Sequence, residues 1–183
     1  MIETFARNAA EAQAVVALVR SPDEARTRVA DILGDARAHL VIVSPDAAGP
    51  PWSCGDTLAS AGVRVVTRSA THNDREDLLS ADAGVTCAAH GLADTGTLVV
   101  CSAQDHHRLD SLVVPIHVAL LRASAIVPDL RSVFSSFAAD SRFERHSAIT
   151  FIRGPSRTAD IELTLTLGVH GPGTLHIVVL DDR

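Results

Sequence analysis

The sequence is poor in aromatic and basic residues. It contains no tyrosine, one tryptophan and five phenylalanines, so aromatic residues make up 3% of its 183 residues. Few side chains are therefore available for base stacking, on which many proteins that bind single-stranded nucleic acid depend. Lys and Arg number 16 against 22 Asp and Glu, which gives a net charge of −6 and a pI near 5.8. This acidic balance argues against a nucleic-acid partner.

Cysteine is also scarce. The three cysteines, Cys54, Cys87 and Cys101, are odd in number and widely spaced, which argues against a disulfide framework. They lack the C-x-x-C grouping that an iron–sulfur cluster or a structural zinc site requires. Cys87 and Cys101 lie in apolar strand patterns, where thiols are usually inert. We therefore expect the chain to bind no metal and no cofactor of its own.

Long apolar runs are absent as well. No segment approaches the roughly 20 apolar residues of a membrane-spanning helix. Residues 1–20 are amphipathic with an early acid, unlike the basic-then-apolar order of a signal peptide. The hydrophobic content of 46% and the length are typical of one globular domain. We expect a single cytoplasmic domain over 1–183, with an N-terminal helical segment (1–38) and a sheet core (39–183).

Helices and short apolar strands alternate along the chain. Ser21-Pro22-Asp23-Glu24 predicts a helix N-terminus, with Ser21 as the cap and Pro22 in the first position. Further helices are predicted at 73–81 and 129–138. Strands are predicted at 39–45, 63–67, 84–87, 96–102, 115–123, 148–154 and 174–180. This alternation predicts the α/β class, with a mostly parallel sheet and helices on both faces.

The stretch 154–162, Gly-Pro-Ser-Arg-Thr-Ala-Asp-Ile-Glu, mixes residues that core packing does not require. Gly154 allows a sharp turn just after a strand. A helix beginning here would direct backbone amides at an anion, with the guanidinium of Arg157 as a forked partner. The alternative is a tight turn held by an ion pair between Arg157 and Asp160.

The end of this stretch is ambiguous in its secondary structure. Residues 161–167, Ile-Glu-Leu-Thr-Leu-Thr-Leu, alternate as a strand does. Asp160 and Glu162, however, suit the first turn of a helix, where acids are favourable. We favour the helix.

A second polar turn, Asp94-Thr95-Gly96-Thr97, precedes an apolar strand. Asp94 either caps its own backbone or directs its carboxylate into a ligand cleft. In parallel α/β sheets ligands bind at the carboxyl ends of the strands. If Asp94 serves a ligand, we expect it to line one cleft with the 154–160 loop.

Nine histidines include four of interest. The pair at 106–107 suits an exposed polar loop better than a metal site, because no second ligand pair has a recognised spacing. His117 lies within a predicted strand, either as a satisfied buried imidazole or as a site residue. His170, between Gly168 and Gly171, suits a loop that presents an acid or base.

Three ordered segments carry a resemblance to a known family: GVTCAAHGLADTGTLVV (84–100), VVPIHVALLRASAIV (113–127) and FIRGPSRTADIELTLTLGVHGPGTLHIVVL (151–180). In them the chain resembles the LUD domain family of lactate utilisation protein C. The resemblance covers roughly the C-terminal hundred residues and only loosely the first 80. It departs from the family in its short N-terminus and at His90-Gly91, where small apolar residues are more usual.

The resemblance implies a fold similar to that of sugar-phosphate isomerases, deaminases and CoA-transferases. It also implies a role in oxidising L-lactate to pyruvate with two partner proteins, at least one of which carries iron–sulfur clusters. The family's motif positions in this chain are Asp94, Thr95, Gly96, His117, Gly154, Pro155, Ser156, Thr158, Asp160, Glu162, His170 and Gly171.

Three functions follow as alternatives. We expect an accessory subunit of a lactate-oxidising system that binds a small anionic or nucleotide-like ligand. The expected ligand-binding residues are Thr95, Gly96, Gly154, Pro155, Ser156, Arg157, Thr158 and Gly171. The second alternative is a stand-alone enzyme or nucleotide-dependent ligase of the related fold, using Asp94, Asp160 or His170 for proton transfer. The third alternative is a scaffold protein, in which the polar residues of these loops have only structural roles. Whether the chain catalyses a step stays open.

Overall fold

The computed structural model describes residues 1–67, 75–102, 108–139, 146–159, 165–167 and 171–183. Its helices are α1 (Ile2–Glu11), α2 (Pro22–Asp35), α3 (Pro45–Ala48), α4 (Cys54–Ser60), α5 (Arg75–Ser80) and α6 (Leu130–Ala139). Its strands are β1 (Val15–Val19), β2 (Leu40–Val43), β3 (Arg64–Thr67), β4 (Ala83–Cys87), β5 (His90–Leu92), β6 (Thr97–Ser102), β7 (Ile116–Arg122), β8 (Ile126–Val127), β9 (Ala148–Ile152), β10 (Arg157–Ala159), β11 (Leu165–Leu167) and β12 (Thr174–Leu180). Short 3₁₀ turns lie at Arg108–Ser111 and Ala123–Ala125.

Six of the strands form a parallel sheet in the order β1-β12-β7-β4-β2-β3. Short, nearly continuous Val/Ile/Leu strands of this kind are typical of sheets buried on both faces. The predicted α/β class and mostly parallel sheet are confirmed. His117 of β7 pairs in register with Gly84 of β4 and Leu175 of β12. It therefore lies on a central strand of the sheet, near the amino end of that strand.

One face of the parallel sheet is covered by helices. α2 starts as predicted: the Ser21 Oγ accepts a hydrogen bond from the Glu24 N–H at 3.1 Å, and Pro22 is the first helical residue. Its apolar side then packs on the sheet. That core cluster includes Ala25, Val29, Ile32, Leu33, Val41, Val43, Val85, Val118, Leu120 and Val178.

The opposite face is covered by α1, α5 and a second, four-stranded sheet in the order β8-β5-β6-β9. Phe5 and Ala9 of α1 are fully buried there against Leu98 of β6 and Ile177 of β12. β6 pairs antiparallel with both β5 and β9. The prediction that 96–102 and 148–154 extend the parallel sheet is therefore wrong, because an apolar pattern identifies a strand but not its partner.

Two local predictions are also corrected. The N-terminal segment 1–38 contains β1 in addition to its two helices. β10 and β11 pair antiparallel, with Thr158 opposite Thr166, so the helix that we favoured for 161–167 is wrong where the structure describes that segment. The strict alternation of leucine and threonine was the better indicator, since β-branched residues favour strands. Across the described ranges, no helix has the length and apolarity needed to span a membrane.

Candidate functional site

The loop after β9 is shaped by a glycine pressed against α1. Gly154 has a φ of 70°, a left-handed conformation that L side chains rarely adopt. A Cβ at this position would overlap the carbonyl oxygen of Ala12, at the C-terminal end of α1. Glycine is therefore required here both for its conformation and for its lack of a side chain. The contact with α1 sets the course of the loop from Arg153 to Ser156.

This loop lies alongside the second Gly-Pro segment. The Ser156 N–H donates to the carbonyl oxygen of Pro172 at 2.8 Å, and the Gly173 N–H donates to that of Pro115 at 2.9 Å. A Cβ at Gly171 would lie only 3.1 Å from the Ser156 Cβ. The two segments that looked unusual in the sequence are thus joined to each other and to the start of β7.

Together they border a half-open cavity of about 240 Å³. The described residues that line it are Ser111, Leu112, His117, Thr150, Phe151, Ile152, Arg153, Gly154, Pro155, Ser156, Gly171, Pro172 and Leu175. The cavity lies at the carboxyl end of β9 but at the amino ends of β7 and β12. This position corrects our expectation of a site at the carboxyl edge of the parallel sheet, because β9 belongs to the other sheet.

Two buried polar side chains, those of Ser111 and His117, are among the described residues of the cavity wall. His117 is the one with a titratable ring. It is 0% exposed, and its Nε2 lies 2.8 Å from the Oγ1 of Thr86 on β4. Burial lowers the pKa of its imidazole from the usual 6.5 to about 4, because desolvation disfavours the charged form. The ring is therefore neutral at neutral pH. Its Nδ1 has no hydrogen-bond partner in the parts of the chain that the structure describes.

Arg153 is the charged side chain among the described lining residues. It is exposed, and its Nε donates to the carbonyl oxygen of Thr95 at 3.1 Å. Arg153 was not among the residues predicted from the sequence, although it directly precedes Gly154. Its position next to a glycine turn was the available signal.

Arg157 points elsewhere. Its Nη2 donates to the carbonyl oxygen of Ala12 at 3.1 Å. It lines an adjoining groove with Glu11, Arg153 and Pro155, of which the last two also line the cavity. The described lining of the 240 Å³ cavity does not include Arg157. The structure therefore places this predicted ligand partner against the end of α1 rather than in the cavity.

The turn at 94–97 packs on α1 as well. The Asn8 Nδ2 donates to the carbonyl oxygens of Ala93 and Asp94, at 2.7 and 2.9 Å. A Cβ at Gly96 would overlap the backbone nitrogen of Ala9. Asp94 is exposed, accepts a hydrogen bond from the Thr95 hydroxyl at 3.1 Å, and is not among the described residues of the cavity wall. Among the described residues, the turn is joined to the site loop by the hydrogen bond between Arg153 and Thr95 and by the pairing of the neighbouring strands β6 and β9.

Several predicted positions lie outside the described residues. These are Asp160, Glu162, His170 and the pair at 106–107, so the roles assigned to them stay predictions. Thr158 is described as part of β10. Of the predicted ligand-binding residues, the structure brings Gly154, Pro155, Ser156 and Gly171 together around the cavity.

The carboxyl edge of the parallel sheet carries a much smaller space. A void of about 10 Å³ lies beside Ser44, Asp46, Cys87 and Cys101, which is room for no more than one water molecule. Burial, aided by the Asp46 carboxylate, raises the pKa of the Cys87 thiol well above its usual value, and burial raises that of Cys101 to about 11. Both are free and protonated at neutral pH. Across the described ranges, no three His, Cys, Asp or Glu residues are grouped closely enough to hold a metal ion.

The fold and the cavity define an α/β protein whose candidate site lies between a parallel sheet and a smaller, mixed one. The sequence model of the LUD domain matches residues 2–180, and the chain belongs to the LUD domain family. A crystal structure of a DUF162 family protein from Deinococcus radiodurans superposes with a TM-score of 0.73 at 25% sequence identity. That alignment covers 98% of this chain and 95% of the other.

Curated relatives carry the name lactate utilization protein C. The protein from Halalkalibacterium halodurans is 37% identical over 118 residues, which are 61% of this chain and 51% of that protein. The one from Anoxybacillus flavithermus is 31% identical over 162 residues, or 87% of this chain and 71% of that protein. The chain thus matches about half the length of the first relative and about seven tenths of the second.

Proposed function

We propose that this chain serves lactate utilisation by binding a small carboxylate in the 240 Å³ cavity. It would act as an accessory subunit of a system that oxidises L-lactate to pyruvate, with iron–sulfur clusters on its partner proteins. Membership of the LUD domain family and the name shared by its relatives support the pathway. The observation that carries the ligand is the cavity itself, formed by the motif residues Gly154, Ser156 and Gly171.

The size of the cavity favours a small metabolite. Pockets for drug-sized ligands occupy about 300–1,000 Å³. At about 240 Å³ this cavity lies below that range, which favours a short acid over a nucleotide.

The charge of the cavity wall favours an anion. Arg153 is positive, and the other described lining residues are uncharged at neutral pH, including His117. A guanidinium binds a carboxylate through two parallel hydrogen bonds, which fix its orientation as well as its position. The protein as a whole is acidic, with a net charge of −6, and Arg153 places a positive charge at the cavity.

Replacing Arg153 with alanine should therefore weaken L-lactate binding by tenfold or more. Charge-assisted hydrogen bonds are worth about 1.5–3 kcal/mol, which corresponds to that loss. Isothermal titration calorimetry of the purified protein with L-lactate measures the change. Arg157→Ala is the matched control, because Arg157 is also exposed and also makes one hydrogen bond to a backbone carbonyl. Its affinity should stay within about twofold of the wild type.

Two outcomes would contradict this proposal. One is a wild-type protein that binds neither L-lactate nor pyruvate nor propionate at millimolar concentration. The other is an equal loss of affinity in Arg153→Ala and Arg157→Ala, which would show that Arg153 contributes no more to ligand binding than Arg157 does. Consumption of L-lactate by the isolated chain with an artificial electron acceptor would instead support the stand-alone enzyme.

A further inference from the structure

We propose that His117 hydrogen-bonds the hydroxyl or carbonyl oxygen at carbon 2 of a short 2-hydroxy or 2-oxo acid bound in the cavity. This inference rests on the proposed function and narrows its ligand to one chemical class. It assigns the carboxylate to Arg153 and the uncharged oxygen to the imidazole.

The burial of His117 calls for a partner. His117 belongs to the central strand β7 and is 0% exposed, yet it forms part of the cavity wall. Buried polar atoms are nearly always hydrogen-bonded, because leaving one unpaired costs about 1–3 kcal/mol. Nε2 is satisfied by Thr86, whereas Nδ1 has no partner in the described ranges. A polar ligand atom in the cavity would complete the hydrogen bonding of the ring.

The neutral state of the ring selects the kind of ligand atom. Burial lowers the pKa of His117 to about 4, so at neutral pH the site has no positive charge at this position. A neutral imidazole suits an uncharged oxygen, whereas the carboxylate is better served by the guanidinium of Arg153. The carboxylate of the ligand therefore binds Arg153, and its uncharged oxygen binds His117.

The contact with Thr86 permits both oxidation states of the ligand. A threonine hydroxyl either donates or accepts a hydrogen bond. When Thr86 accepts from Nε2–H, Nδ1 is an acceptor and suits the hydroxyl of L-lactate. When Thr86 donates to Nε2, Nδ1 carries the proton and suits the carbonyl of pyruvate. One buried ring can therefore bind either compound by a change of tautomer.

The test compares L-lactate with propionate, which has the same carbon chain and carboxylate but no oxygen at carbon 2. By calorimetry the wild type should bind L-lactate about tenfold more tightly than propionate, because a site built to hydrogen-bond an oxygen rejects a ligand that lacks it. His117→Gln keeps a nitrogen near the position of Nε2 for Thr86 but removes Nδ1 and the titration. This variant should bind the two ligands with equal affinity and bind propionate as the wild type does.

A second measurement uses the unaltered protein. In ¹⁵N-histidine-labelled protein, the His117 ring should stay neutral from pH 8 down to about 5, because burial lowers its pKa to about 4. Its Nδ1 resonance should shift on addition of L-lactate and stay in place on addition of propionate. This experiment decides the question even where His117→Gln fails to fold.

The results separate this inference from the proposed function. Equal binding of L-lactate and propionate by the wild type, together with weaker binding of both by Arg153→Ala, would overturn the role of His117 and leave the anion site in place. Retention of the L-lactate preference in His117→Gln would overturn it as well. Absence of binding of either acid to the wild type would overturn both proposals.

Discussion

Gly154→Ala should lower the midpoint of thermal unfolding by about 4–8 °C and weaken L-lactate binding at the same time. A left-handed backbone costs a residue with a side chain about 1–2 kcal/mol, and the added Cβ also overlaps the Ala12 carbonyl oxygen. A total near 2 kcal/mol corresponds to that fall in a protein of this size. The loop must move away from α1 to accept the methyl group, and this movement displaces Ser156 in the cavity wall.

Gly34→Ala is the matched control for this substitution. Gly34 lies within α2, and a Cβ there would have nothing within 4 Å. Alanine is a better helix former than glycine by up to about 1 kcal/mol, so Gly34→Ala should raise the unfolding midpoint. Differential scanning calorimetry of the two variants should thus give shifts of opposite sign. Shifts of the same sign, or an unchanged affinity in Gly154→Ala, would show that the contact with α1 does not hold the loop.

Acidification from pH 7 to pH 4 should cost the protein about 3 kcal/mol of stability through His117 alone. Its pKa is about 4 in the folded protein and near 6.5 in the unfolded chain, so the unfolded state binds more protons between these values. The contribution of His117 to the free energy of unfolding should therefore be level above about pH 7, fall as the pH drops through 6.5, and flatten again below 4. Urea unfolding at a series of pH values measures this curve.

His117→Gln isolates the contribution of this one imidazole. The variant does not titrate at position 117, so the difference between its curve and that of the wild type should contain the slope between pH 6.5 and 4. His176, whose pKa is also lowered by partial burial, is present in both proteins and cancels. The pKa values of Asp129 and Asp182 are also lowered, and these carboxylates are likewise present in both proteins, so their effects cancel in the same difference. Parallel curves for the two proteins would contradict the buried, neutral state of His117.

The positions of most helices and strands could be predicted from the sequence, whereas β1 and the partners of some strands could not. The start of α2 followed from the cap at Ser21, because capping depends on neighbouring residues alone. β9 was predicted as a strand but assigned to the parallel sheet, since its apolar residues would suit either sheet. The same limit applied to β10 and β11, where acids near 160 favoured a helix and long-range pairing decided otherwise.

The small residues of the loops around the cavity could be selected from the sequence, whereas the directions of Arg157 and Asp94 could not. Gly154, Ser156 and Gly171 were selected from turn chemistry, and they do meet around one cavity. Arg157 was selected for its charge, but its direction depends on the alternation of β10 and on the carbonyl of Ala12. Asp94 was expected in the same cleft and instead lies exposed on a turn that packs against α1. These directions are set by tertiary packing, which no local pattern contains.

Two glycines from distant parts of the chain pack against the backbone at the C-terminal half of α1. Gly96 approaches the backbone of Ala9, and Gly154 approaches that of Ala12, about one helical turn further on. We expect these positions to change together in related sequences. A residue inserted into the second half of α1 would rotate the Ala12 carbonyl by about 100° and remove it from Gly154. Sequence changes at the start of the domain should therefore be accompanied by changes in the Gly-Pro-Ser loop, some 140 residues away.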